Sequence, residues 1–213
     1  LFNYEPLENA PRGEIGIPRV LNMYENYPLG FTFLTELGFS VQLSDRSTHS
    51  IYEKGIDSIP SESACYPAKL VHGHIRDLLD KEIMTVFYPC VTYEIKEYEK
   101  AGNHFNCPMV VSYPQVIYNN IDDLKRDGMK FLFPFVNLNH RESFEKQMYK
   151  EFSQFGITQD EIHIASEKGF AELLKFKADI RKKSEEIIEY INKEKIHGIV
   201  LAGRPYHVDP EIN

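Results

Sequence analysis

The chain of 213 residues contains no tryptophan and only three cysteines. So few thiols, and an odd number of them, do not make the disulfide framework of a small secreted domain, and reduced cysteines are the expectation. No run of 18 apolar residues occurs, which leaves no candidate membrane-spanning helix. The first thirteen residues lack the basic and apolar regions of a signal peptide. Positive charge is also short: 24 Lys and Arg against 32 Asp and Glu give a net charge of −8, which repels a nucleic-acid backbone. Neither a Gly-x-Gly-x-x-Gly nor a Gly-x-x-x-x-Gly-Lys-Ser/Thr segment is present, so no NAD-type or P-loop ATP site is indicated. These absences point to a cytoplasmic protein with no nucleic-acid or membrane partner. With 42% hydrophobic and 26% charged residues the composition is that of an ordinary globular protein. The chain starts without Met and stops shortly after an apolar run, which suggests a piece of a larger protein.

Hydrophobic patterning alternates between strand and helix. Short apolar runs at 14–18, 39–43, 83–88, 109–113, 130–136 and 198–202 have strand length. Between them lie helical stripes. Phe31, Leu34 and Leu37 precede a Gly38 stop, with Asn22 and Asn26 as competing start signals and Pro28 suited to a first turn. A polar stretch at 44–48 leads toward a short helix. Pro67 opens a second stripe of Leu70, Val71, Ile75, Leu78 and Leu79. Phe144, Met148, Phe152 and Phe155 form a third before Gly156, and residues 167–195 read as one long helix or two joined ones. Strands separated by helices predict an α/β fold, a parallel-sheet, Rossmann-like three-layer αβα arrangement with right-handed crossovers. The chain reads as one α/β region over 1–213. A division into a first unit over 14–139 and part of a second over 140–213 is the alternative, although no linker composition marks it.

Ligands of such folds bind beyond the carboxyl ends of the strands. The loops expected there carry Cys65, Cys90, Arg204 and His207, while Cys107 is expected to precede a strand and reach the same edge through its loop. Cys65 stands just before a helix N-terminus, where negative charge is favoured, and thiolates rather than thiols bind metal. Three soft ligands from separate loops can hold an iron–sulfur cluster. The spacings of 25 and 17 residues fit neither a ferredoxin run nor a zinc motif, and scattered intracellular cysteines are commonly core residues. A cysteine nucleophile with a histidine base, drawn from His72, His74, His104 and His207, is a further reading without a local signature. His72 and His74, two apart on a helix, point about 200° apart and cannot share one site. Ser61 and Ser63 beside Glu62 suit anion binding or a plain turn. Arg204 suits a phosphate or carboxylate, or a surface salt bridge.

Several segments together resemble the domain of unknown function found in proteins related to the activators of 2-hydroxyacyl-CoA dehydratases and benzoyl-CoA reductases. They are Ile15-Gly16-Ile17-Pro18-Arg19 with Asn22-Met23-Tyr24-Glu25, Ile59-Pro60-Ser61-Glu62-Ser63 running to Cys65-Tyr66-Pro67-Ala68-Lys69, Tyr88-Pro89-Cys90, Asn106-Cys107-Pro108, and Leu201 to His207 with Asp209-Pro210-Glu211. The resemblance implies ATPase activator domains in the same longer polypeptide, or a reductase or dehydratase partner, but places no ATP site here. Through similarity to the dehydratase subunits it implies a 4Fe-4S cluster held by Cys65, Cys90 and Cys107. Ser61, Ser63, Tyr66, His104 and His207 would lie near the cluster, Arg204 would orient an anion, and an acyl-CoA would bind at an open iron site. A noncatalytic docking or regulatory module with structural cysteines is the competing expectation.

Overall fold

The computed structural model describes residues 1–213 and is an α/β fold built on a parallel sheet. The element order is β1 (Glu14–Ile17), α1 (Met23–Glu36), β2 (Ser40–Leu43), α2 (His49–Gly55), α3 (Tyr66–Asp80), β3 (Thr85–Phe87), β4 (Cys90–Tyr93), α4 (Pro108–Asn120), β5 (Lys130–Leu132), β6 (Phe135–Asn137), α5 (Arg141–Phe152) and α6 (Gln159–Glu194). Four strands pair in the order β2-β1-β3-β5, all parallel, and β4 and β6 form a separate parallel pair. Alternation along the strands feeds two cores. Ile15, Ile17, Val41, Phe87 and Leu132 join α1, α5 and α6 in one, while Val86 and Phe131 join α3 and α4 in the other. The sheet is thus covered on both faces, which is why its strands read as nearly continuous apolar runs. No helix is long and apolar enough to cross a membrane.

Most expected elements form, with α1 starting at the earlier of its two signals, after Asn22. Pro28 therefore lies inside α1 rather than in its first turn. Gly38 and Gly156 adopt positive φ where the stops were expected. Residues 167–194 belong to one helix, α6, which ends at a left-handed C-cap, Lys195, and begins earlier, at a capping box between Thr158 and Glu161.

Four expectations are corrected. Met109–Tyr113 is not a strand but lies within α4, because Cys107 stands at the N-cap position with extended backbone, Pro108 fits the first helical position, and Val110, Tyr113, Ile117 and Ile121 bury at helical spacing. Cys107 therefore precedes a helix. Cys90 is not in a loop after a strand but is the first residue of β4. The run at 130–136 breaks at Pro134 into β5 and β6 of different sheets, since proline cannot donate to a ladder. Residues 198–202 form no strand, and Ile199 and Val200 are 97% and 91% exposed.

Candidate functional site

Parallel topology explains how distant cysteines reach one edge. A crossover helix runs antiparallel to the strands, so the helix preceding each strand starts at the carboxyl edge of the sheet. Both α3, which precedes β3, and α4, which leads to β5, start with a cysteine at the N-cap: Cys65 and Cys107. The two share extended backbone angles, φ −64° and ψ 149° for Cys65 and φ −61° and ψ 144° for Cys107, and each is followed by a proline in the first two helical positions. Neither thiol caps its helix by a hydrogen bond, so both remain free for other partners. Cys65 is exposed and Cys107 half-buried.

Aromatic hydroxyls lie within electrostatic reach of the thiols. Tyr206 packs with Cys107 against the second core, and its hydroxyl lies within electrostatic reach of both Cys107 and Cys65. Burial, with these thiols adding, raises the Tyr206 pKa despite the nearby Arg204. Burial also pushes Tyr113 up to about 12, with Cys65 contributing. Tyr113 neighbours Tyr88 in turn, and Tyr88 neighbours Cys90. Cys90 is fully buried, and burial raises its thiol to about 12, only partly offset by the backbone N–H of Gln115. It is a neutral thiol in this arrangement. The Tyr88 hydroxyl beside it is buried without any hydrogen-bond partner.

The remaining expected site residues are placed less closely. Ser61 and Ser63 sit on an exposed turn, their hydroxyls 2.7 Å apart, with Ser63 N–H donating to Ser61 Oγ. His104 lies on the loop leading to Cys107, its ring 5.7 Å from that of Tyr93 and its Nδ1 buried without a partner. Arg204 is exposed and His207 half-buried, edge-on to Tyr206 at 5.0 Å. His72 and His74 face apart as expected. Both are fully buried, and burial lowers each to about 4. His72 bridges Ser58 at 2.8 Å and Tyr113 at 3.1 Å.

The residues that sequence reading passed over are those around His74. Its Nδ1 is 2.9 Å from Ser44 Oγ, and its Nε2 is 2.9 Å from Ser47 Oγ. Ser47 and Tyr24 both donate hydroxyls to Asp209 Oδ2, and Glu211 N–H donates to Oδ1 at 2.8 Å. Asp209 is only 2% exposed. Ser44 and Ser47 follow β2 at the carboxyl edge, a position that marks them in retrospect, but the return of Asp209 from the far end of the chain has no local signal.

The donor set has the chemistry of a cluster site: three cysteines, two of them uncapped at helix N-termini, and a tyrosine hydroxyl left without an acceptor. Its arrangement does not complete one, since no group of three or more His, Cys, Asp or Glu side chains is placed to hold a metal ion. A cysteine nucleophile finds no support either: no histidine is hydrogen-bonded to a thiol, and both buried histidines are engaged by hydroxyls.

The model of the family described as CoA enzyme activase uncharacterised domain matches residues 14–213, and the chain belongs to that family. No curated protein and no solved structure matches the chain.

Proposed function

We propose that this member of the CoA enzyme activase uncharacterised domain family is an iron–sulfur-cluster-binding redox domain of an activation system. It would hold a 4Fe-4S cluster at the carboxyl edge through Cys65, Cys107 and Cys90. ATPase activator domains and a dehydratase or reductase acting on an acyl-CoA would be its partners. The observation that supports this reading is the pairing of Cys65 and Cys107, each an uncapped N-cap of a proline-led helix, around the hydroxyl of Tyr206. When bound, such a cluster supplies low-potential single-electron transfer. The chain's own residues would do the rest. Helix N-termini favour the negative charge of two thiolates. Cys90 would lose its proton to ligate, and the unpartnered Tyr88 hydroxyl beside it would then have an anionic acceptor. Arg204, exposed and without an ion-pair partner, would meet a substrate anion, with His207, His104, Ser61 and Ser63 around the rim.

The test is iron and acid-labile sulfide content after anaerobic reconstitution, for wild type beside Cys65→Ser, Cys90→Ser and Cys107→Ser. About four of each per chain, lost in every variant, is expected for a thiolate-held cubane. Iron retained in any one variant removes that cysteine from the ligand set. A wild type without iron leaves the second reading, a noncatalytic docking module, which the full burial and raised pKa of Cys90 favour.

A further inference from the structure

The last eleven residues return from the end of α6 and cross the edge that carries Cys65 and Cys107. They are attached at one end by very little. Residues 197–203 donate and accept no backbone hydrogen bond, and Ile199, Val200 and Leu201 are 97%, 91% and 67% exposed. At the other end the attachment is dense. Asp209 takes the hydroxyls of Tyr24 from α1 and Ser47 from the loop after β2, and its own segment adds the Glu211 N–H. Glu211 accepts from Tyr66 Oη, one residue beyond Cys65, at 2.9 Å. Between the two ends lies Tyr206, seated with Cys107 on the second core.

We propose that residues 203–213 form a strap that closes over Cys107, and that Asp209 is the latch that holds it shut. Buried hydrogen bonds to a carboxylate are among the stronger single contacts a protein makes, and here several converge on one side chain. The slack tether lets the strap lift without disturbing α6. The latch is coupled inward, because the same Ser47 hydroxyl that donates to Asp209 is 2.9 Å from His74, whose other nitrogen meets Ser44, which in turn accepts the Arg19 N–H at 2.7 Å. Opening the strap would take Tyr206 away from Cys107 and expose the thiol to solvent or a partner. Cys65, already exposed, would be little affected, and Cys90, fully buried as the first residue of β4, would not change. The role of the strap as a gate rests on the reading of this edge as the working site.

The experiment is pulsed alkylation with iodoacetamide of the full chain, reduced and free of iron, with each cysteine followed by peptide mass spectrometry. Wild type is compared with Asp209→Asn and Tyr24→Phe. The Cys107 rate is expected to rise about tenfold in Asp209→Asn, as for loss of charge-assisted bonds that hold a local opening closed, and by a smaller factor in Tyr24→Phe. Cys65 should stay within about twofold and Cys90 should remain unlabelled, as for a local opening. An unchanged Cys107 rate in both variants overturns the proposal. So does labelling of Cys90 in step with Cys107 in both, which would mean that the whole domain has loosened. The readout needs no iron, so a chain that binds none but opens at Cys107 loses the cluster reading and keeps the strap.

Discussion

His74 and Asp209 share no hydrogen bond, yet Ser47 joins them, its hydroxyl 2.9 Å from His74 Nε2 and donating to the Asp209 carboxylate. The donor directions fix the histidine tautomer. Ser47 spends its proton on Asp209, so it must accept from His74 Nε2–H, which leaves Nδ1 to accept from Ser44, whose oxygen takes the Arg19 N–H. A neutral His74 satisfies every link, and a protonated one would put two donors on the Ser44 contact.

This arrangement makes the fold sensitive to acid. Burial lowers both His72 and His74 from 6.5 to about 4. The unfolded chain therefore binds protons that the folded chain refuses as pH falls from about 6.5 towards 4, and stability declines across that window. Each histidine contributes on the order of 3 kcal/mol by its lower end. Urea midpoints at pH 7, 6 and 5 should fall progressively, and the fall should be roughly halved in His72→Asn. A midpoint flat between pH 7 and 5 would refute the neutral, buried state of the pair.

Gly73 is where α3 passes α2 with backbone almost on backbone. A Cβ added there would lie 1.8 Å from the Ile51 carbonyl oxygen, and one on Gly55 would lie 2.2 Å from the Gly73 nitrogen. Neither neighbour is a flexible side-chain tip, so the helices would have to part. Gly73→Ala is expected to destabilise by more than about 3 kcal/mol, at the upper end of overpacking penalties, and to lower the thermal midpoint or solubility. A variant as stable as wild type would mean that α2 is not held against α3.

Much of this fold was legible in the sequence because hydrophobic period maps directly onto burial. The stripe from Leu70 to Leu79 and the run around Val86 are buried where their spacing places them. The misreading of Met109–Tyr113 shows the limit, since a short β-branched run preceded by Cys-Pro looks the same whether it is a buried strand or the first turns of a buried helix. Only the continuation through Ile117 and Ile121 separates the two. The candidate site was legible in its chemistry and not in its assembly. Cys65 was expected at a helix start and is found there, whereas Cys107 reaches its position through a helix that was read as a strand. The Asp209 cluster rests on contacts between residues as far apart in sequence as Tyr24 and Asp209, which no local pattern encodes.

Asp77 fastens the loop after β2 to α3. Its carboxylate accepts the Asp45 N–H at 2.9 Å and pairs with Lys54 and Lys81, each at 2.9 Å. Burial works to raise its pKa, but these three partners outweigh it and hold the group at about 2. A depressed carboxylate contributes stability above its unfolded value near 3.8 and loses it as pH falls toward 2. Asp77→Asn keeps the shape and removes the charge, so a loss of about 2 kcal/mol at pH 7 is expected, smaller than for a fully buried pair because both lysines are partly exposed. The difference from wild type should vanish in unfolding curves taken near pH 2, and a penalty that persisted there would assign the effect to packing instead.

Phe152 closes the core between the sheet and α5. It is fully buried, and its ring lies 5.7 Å from Phe33, 6.0 Å from Phe39 and 5.8 Å from Phe87, so it touches α1, the approach to β2, and β3 at once. Edge and tilted contacts of this kind add to the area buried. Removing the ring leaves a cavity whose walls belong to three different elements, none of which can move in without leaving another. Phe152→Ala is therefore expected to cost about 3–5 kcal/mol, against less than about 1.5 kcal/mol for a volume-conserving Phe152→Leu or Phe152→Met. Chemical denaturation of the three variants beside wild type measures this. A small penalty for alanine would show that α5 does not seal the sheet face, and that the first core is held by α1 and α6 alone.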